Sequence, residues 1–323
     1  MSEKRILITG GAGFIGSHLV EHFLTQGDSV ICVDNFLSGS RSNIEPFLSS
    51  PNFRLIEHDC INPLTEELTG LTAIFHFATP ASPNPSSPVS YMSHPVETMM
   101  VTSQGTKHML DLARANNCQI ILASTSEVYG DPLVHPQNED YRGNVSSTGL
   151  RACYDEGKRF MEALSMVYHR EFGVKTKIIR IFNTYGPRMR LDDGRFTINL
   201  VASYLNKTPF RLHGDMDHIT RSFCYIDDLV SGIAKVYETE QAIGNVINLG
   251  NPTEYTLAKA LSIFETVIGT KLDTIQVEVQ SDDPKKRQPD ISRAKDILGW
   301  EPAVDFATGI KKTLDYYLNL QNL

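Results

Sequence analysis

Cysteine is sparse. Five residues (Cys32, Cys60, Cys118, Cys153 and Cys224) are scattered through 323 positions without a CxxC pair. An odd, unclustered set argues against a disulfide framework and a zinc site and predicts a reducing, cytoplasmic compartment. No apolar run approaches the ~18 residues of a membrane helix. The opening MSEKRILITGG runs straight into a strand-like segment with no signal-peptide core, so no membrane association is expected. Glycine (22) and proline (16) stay near background, which excludes collagen-like and low-complexity chains. Basic residues fall short of acidic ones, 30 against 38, for a net charge of −8. That balance argues against a nucleic-acid scaffold, yet a locally basic site could still hold a small anion. What remains is an ordinary globular composition, 41% hydrophobic and 21% charged. The length suits about two domains, or one large α/β unit with an appended lobe.

The first half alternates short apolar runs with helical patterns. Strand-like runs are Arg5–Thr9, Val30–Val33, Phe53–Glu57, Ala73–Phe77, Ile120–Ala123 and Thr176–Ile181. Helical spacing marks 15–24, 95–116 and 153–172 between them. Such alternation predicts a doubly wound parallel sheet with both faces covered. Beyond Gly186 the pattern loosens into helices near 196–206, 226–238, 256–267 and 305–318, with strands near 209–213, 246–249 and 275–279. The expected division is a Rossmann-type domain over 1–184 and a smaller α/β lobe over 185–323, with some segments crossing between them. Pro80–Pro95 reads as a surface loop.

Gly10, Gly13 and Gly16 follow the first strand and open the first helix with GxxGxxG spacing. The glycines suit a tight turn, close backbone approach to a pyrophosphate, and close helix–strand packing. The helix start (Phe14, Ile15) would then turn free N–H groups toward the phosphates. Asp34 ends the second strand, where a carboxylate holds ribose hydroxyls and repels a 2′-phosphate, so NAD is expected rather than NADP. A lone glycine-rich turn is a weak signal; strand, turn, helix, strand and acid in series are a strong one.

Tyr154 and Lys158 lie four apart on one predicted helix and share a face. An ammonium beside the phenol would lower its pKa and fit Tyr154 to remove a hydroxyl proton. YxxxK spacing alone is commonly just an exposed helix pair. Here Ser124–Glu127 also follow a strand, at the sheet end where such folds bind ligands.

TGGAGFIGSH, STSEVYG, YDEGKR, RIFNTYGPRM, TRSFCYIDDL and LGWEP span residues 9 to 302. Together they resemble the extended short-chain dehydrogenase/reductases acting on nucleotide sugars. HPQNEDYRGNV, CYDEGKRFMEAL, YGPRMRLDDGR and DDPKKRQPDISRAK are most similar to the UDP-glucuronate decarboxylase (UDP-xylose synthase) branch. The resemblance implies a retained NAD, a 4-keto intermediate, loss of carbon dioxide and a UDP-pentose product. By residue it implies catalytic roles for Thr125, Ser126, Glu127, Tyr154, Lys158 and Arg287. Cofactor contacts would add Asn35, Asp59, Cys60, Phe77, Ala78 and Thr79. Substrate contacts would come from Tyr91, Asn183, Arg188, Arg195, Asn199, His213, Arg221 and Arg287. Metal is not expected; a homodimer built on the helices near 95–116 and 153–172 is.

Two positions favour decarboxylation over sister reactions. Related 4,6-dehydratases carry Asp-Glu where this chain has Ser126-Glu127, and a serine is a poor acid for a departing hydroxyl. Arg287 stands where the decarboxylases keep an arginine for the substrate carboxylate, although alone it reads as part of the solvated run Lys285–Arg287. Departures cluster near the sugar pocket: ASPNPSSPVSYM replaces the usual ASPPHYM, Thr102 an asparagine, GDMDHITR the shorter GDGxQTR, and STGLRAC PxGPRSC. A different uronic acid, base or product therefore stays open. So do a UDP-sugar 4-epimerase, a 4,6-dehydratase, an apiose/xylose synthase and a non-catalytic NAD-binding sensor.

Overall fold

The computed structural model describes residues 4–277 and 286–321, with His213 described by its backbone alone. In chain order the elements are β1 (Arg5–Thr9), α1 (Phe14–Thr25), β2 (Ser29–Asp34), β3 (Phe53–Glu57), β4 (Ala73–His76), α2 (Pro95–Met100), α3 (Thr106–Asn116), β5 (Gln119–Thr125), α4 (Ala152–Phe172), β6 (Lys175–Ile181) and β7 (Thr184–Tyr185). There follow α5 (Phe196–Asn206), β8 (Phe210–His213), β9 (Thr220–Ser222), β10 (Cys224–Tyr225), α6 (Ile226–Glu238), β11 (Val246–Leu249), β12 (Glu254–Thr256), α7 (Leu257–Ile268), β13 (Thr274–Val277), β14 (Lys286–Arg287), α8 (Ser292–Leu298) and α9 (Phe306–Gln321). The expected helix over 95–116 is broken: a π-helical turn at Val101–Gly105 separates α2 from α3. The expected strand near 275–279 is described to Val277; its last two positions lie outside the described residues.

Seven parallel strands form the central sheet in the order β11-β6-β5-β4-β1-β2-β3. The period-two alternation divides its two faces. Ile6, Ile8, Val30, Cys32, Phe75 and Ile121 pack on one side, with Leu19, Val20 and Phe23 of α1 and Ile233 of α6. Leu7, Ile31, Val33, Ile74, Ile120 and Leu122 point the other way, onto Met109 and Leu110 of α3 and Met161 of α4. The chain does not stay in the second lobe after residue 185: β11 returns to the sheet edge beside β6. Its apolar register (Ile247 and Leu249 fully buried) leaves it no other place to bury.

The second lobe rests on short pairings: β7 with β10, β8 with β13, and β9 between β12 and β14. Tyr185, Phe223, Tyr225 and Phe306 make its aromatic centre, continuous with the α1 side of the sheet. Sheet order reverses between β1 and β4, which opens a crevice at the strands' carboxyl ends. All five cysteines are buried and unpaired.

Gly309 of α9 reports on this junction. A Cβ there would stand 2.2 Å from the Tyr185 hydroxyl and 3.0 Å from the Tyr225 ring. Helix propensity favours alanine by about 1 kcal/mol. Overpacking against a fully buried tyrosine opposes it, and we expect Gly309→Ala to lower stability by roughly 1–3 kcal/mol. Urea unfolding checks this; a stabilised variant would show that Tyr185 yields freely.

Candidate active site

A cavity of about 1290 Å³ follows the crevice from the β1–α1 turn to the second lobe. At one end the backbone is bare because side chains do not fit. Gly10 adopts φ +69°, and a Cβ there would lie 2.8 Å from the Phe77 and Ala78 backbone. A Cβ on Gly16 would lie 2.0 Å from the Gly10 carbonyl oxygen. Nothing on the N-cap residue Gly13 caps α1. Phe14, Ile15 and Gly16 thus present a helix start to the cavity, suited to a pyrophosphate. Asp34 accepts from the Ala12 N–H at 2.9 Å and the Phe36 N–H at 2.8 Å, tying the turn to the end of β2. Burial raises its pKa, and those two bonds oppose the rise. Asn35, Asp59, Cys60, Phe77, Ala78 and Thr79 continue the wall. This cradle, with its bare turn and its acid, fits a dinucleotide.

Tyr154 and Lys158 lie in the middle, 7% and 3% exposed. Lys158 Nζ donates to the Ala123 carbonyl at 2.7 Å and to Thr79 Oγ1 at 2.9 Å. Burial lowers its pKa to about 7, against the pull of Glu162. Burial likewise pushes the Tyr154 phenol up to about 12, opposed first by the Arg195 charge and then by the Thr125 hydroxyl. Among the cations that oppose the rise, Arg195 acts most strongly, and Lys158 Nζ lies 5.8 Å from the centre of the Tyr154 ring. The Tyr91 ring stacks on Tyr154, with centroids 4.7 Å apart and planes 12° apart.

At the end of β5, Arg287 is 2% exposed. It donates to Ser126 Oγ at 3.0 Å and to Glu127 Oε1 at 2.7 Å. Arg151 holds the other oxygen of Glu127. Burial alone would raise the Glu127 pKa, but Arg287 and Arg151 bring it down to about 2. The reading of Arg287 as part of a solvated run is therefore wrong: β14 pairs with β9 and turns it inward. Asp282–Lys285 of that motif lie outside the described residues.

Other expected contacts are distributed differently. Asn183, Asn199 and Arg221 line the second-lobe end of the cavity. The Arg221 guanidinium donates to the Thr220 carbonyl, and Asn199 Nδ2 to the Gly194 carbonyl. Arg188 also reaches the wall, but its guanidinium pairs with Glu21 and donates to the Ser17 carbonyl. The Arg195 guanidinium grips both oxygens of Asp193 at 3.0 Å and donates to the Ala81 carbonyl. Both arginines also line the cavity, each held in place by an acid of the protein itself. The His213 side chain lies outside the described residues. Sequence reasoning missed Arg151 and Asp155. Their i, i+4 spacing ahead of Lys158 was a usable signal; the pairing of Arg151 with Glu127, across 24 residues, was not.

Among the described residues no group of three or more His, Cys, Asp or Glu is placed to hold a metal, and no helix is long and apolar enough to cross a membrane. The family described as GDP-mannose 4,6 dehydratase matches residues 7–313. UDP-glucuronic acid decarboxylase 6 of Arabidopsis thaliana is 46% identical over 310 residues, 96% of this chain and 87% of its own. UDP-glucuronic acid decarboxylase 2 of the same plant is 46% identical over 306 residues, 95% of this chain but 66% of its own length. The chain therefore spans about two thirds of that longer relative. In fold it is similar to UDP-glucuronic acid 4-epimerase from Bacillus cereus, solved with UDP-glucuronic acid and NAD: TM-score 0.85, 27% identity, 98% of this chain and 99% of that one. Glycine cradle, buried tyrosine–lysine pair and full-length similarity agree: the chain belongs to the GDP-mannose 4,6 dehydratase family of extended short-chain dehydrogenase/reductases, and it is most like the UDP-glucuronic acid decarboxylases within it.

Proposed function

We propose that the protein is an NAD-dependent UDP-glucuronate decarboxylase that forms UDP-xylose through a 4-keto intermediate. The observation that carries this reading is the pairing of Ser126 and Glu127 with buried Arg287. Removing water from C6, as a dehydratase does, needs a proton donor. Ser126 is too weak an acid, and Glu127, held near a pKa of about 2 by two arginines, is ionised at neutral pH. A guanidinium beside a serine at the sheet end instead suits a substrate carboxylate.

NAD, when bound in the cradle, supplies the redox chemistry at C4. The other tasks fall to the chain. The glycine turn and the α1 start bind phosphate, and Asp34 orients ribose. Tyr154 Oη, reacting as the phenolate that Arg195 and Thr125 favour against burial, takes the 4-hydroxyl proton as C4 is oxidised and returns it when C4 is reduced. With C4 a ketone, the C5–C6 bond breaks with its electron pair spread into the 4-oxygen, and the enolate takes a proton from water at C5 to give the keto pentose. The Tyr154 and Thr125 hydroxyls are the donors for that charge. Arg287 holds the departing carboxylate. Tyr91 stacked on Tyr154 keeps water from one face of the phenol.

We also propose a homodimer. Val96 and Met99 of α2 and Phe160 and Val167 of α4 are 40–66% exposed on packed neighbouring helices, an arrangement that a second copy of the same face would cover.

Purified protein given UDP-glucuronate should release carbon dioxide and a UDP-pentose in equal amounts. A hexuronate epimer without carbon dioxide would turn the reading to an epimerase. Tyr154→Phe should keep its fold and NAD while turnover falls by at least ~100-fold; full activity would remove the base. For the dimer, Phe160→Glu should shift the light-scattering mass from dimer to monomer, and an unchanged mass would put the interface elsewhere.

Asp155 sets a pH dependence of stability. It is buried beside Arg151, with Oδ1 unbonded among the described residues. Burial, then the Glu127 charge, raises its pKa from 3.8 to about 7. Between those values the native chain binds more protons than the unfolded one, so this group's contribution falls as pH rises through that window. Asp155→Asn should therefore gain urea resistance over the native protein at pH 8 and little at pH 4. Equal gains at both would assign the effect to packing.

A further inference from the structure

The loop from Ala81 to Tyr91 crosses the cavity and is fastened on the far side. Its base is closed on itself: Ser90 Oγ donates to the Ser82 carbonyl at 2.9 Å, and the Tyr91 N–H to the same oxygen at 3.3 Å. Across the crevice Ser82 Oγ donates to the Asp193 carbonyl at 2.6 Å, and Asn84 Nδ2 to the Asp192 carbonyl at 3.2 Å. Arg195, clamped by Asp193, reaches back to the Ala81 carbonyl. Gly194 adopts φ +92°, and a Cβ there would stand 2.3 Å from Asn84 Cβ. The absent side chain at 194 is thus what lets Asn84 seat. Ser82, Asn84, Pro85 and Ser86 face the cavity. The far end of the loop is Tyr91, stacked on Tyr154. One continuous strap therefore links the segment before α5 to the proposed base.

Chemistry gives the strap a task. Before carbon dioxide leaves, the sugar has a carboxylate for Arg287 to hold. Afterwards it is a neutral keto pentose, anchored only through its nucleotide, at the moment when C4 must still be reduced. We propose that Asn84, Ser82 and Gly194 form a latch that holds the strap over the sugar during this interval. The latch sets how many turnovers finish as pentose rather than escape as the 4-keto sugar. These are positioning residues, and the inference rests on the decarboxylation reading above. The balance is simple: each escaped keto sugar accounts for one carbon dioxide and leaves its C4 hydride behind as one NADH.

The test is the partition in Asn84→Ala and Ser82→Ala, with Gly194→Ala as the approach from the other side. UDP-pentose and UDP-4-keto-pentose are counted by mass spectrometry per carbon dioxide released, alongside NADH absorbance. Counting per carbon dioxide cancels any general loss of activity. Loss of one latch hydrogen bond should raise the keto fraction roughly three- to tenfold, with matching NADH. The Tyr91 amide, followed by hydrogen exchange in the holoenzyme, should exchange faster by a similar factor. An unchanged keto fraction in both Asn84→Ala and Ser82→Ala overturns the latch. Should the native protein release no carbon dioxide, the decarboxylation reading fails separately. The latch is then judged on exchange: faster Tyr91 exchange in Asn84→Ala sustains the closure, and equal exchange overturns it.

Discussion

Glu127 is half-buried at the end of β5 and gripped by an arginine on each side, Arg287 at 2.7 Å and Arg151 on the other oxygen. A carboxylate in that position without partners would take a proton or expel the structure around it. With both arginines it stays ionised, and each arginine is fixed in return. Removing the acid would leave the buried Arg287 charge uncompensated and destabilise the fold. The pairing also has topological reach. Arg287 comes from β14 in the second lobe, Glu127 from the turn after β5, and Arg151 from the residue before α4. One acid thereby joins the sheet, the helix that carries Tyr154, and the second lobe.

The charge state of the centre follows from the same burial. The Tyr154 phenol is pushed up and the Lys158 ammonium down, so each group is biased toward its neutral form. Desolvation acts on both because each side chain is buried, 7% and 3% exposed. The fixed positive charges lie instead toward the second lobe, with Arg195 and Arg287. An anionic sugar nucleotide entering from that end meets cations already held in place by Asp193 and Glu127.

The strap belongs to this economy of contacts. Its apolar end stacks on the base, its polar end is bonded to the backbone at Asp192 and Asp193, and the cavity lies between. The Arg195 guanidinium serves both sides: its charge is felt at Tyr154, and its hydrogen bonds tie Asp193 to Ala81. Pocket shape and proton chemistry are therefore linked through one residue.

Much of this was legible in the amino-acid order, because its cause is local. Alternation of apolar residues made Ile6 and Leu7 face opposite layers of one sheet. The spacing of Gly10, Gly13 and Gly16 encoded a turn too tight for side chains, and the four-residue interval brought Tyr154 and Lys158 to one helix face. Partner choice among charged groups was not legible. Arg287 looked like one cation in a solvated run and became a buried clamp on a residue 160 positions away. Nor did the sequence show that Arg188 would pair with Glu21 and Arg195 with Asp193. Nor did any local pattern say that β11 would close the sheet beside β6. The amino-acid sequence alone settled most of the sheet strands, the long helices other than that over 95–116, and the glycine turn, since steric fit and periodicity act over a few residues. Which charges pair, which are buried and what closes over the sugar were decided by the tertiary fold, because electrostatic energy depends on distance and solvent exposure in space, and those exist only once the chain is folded.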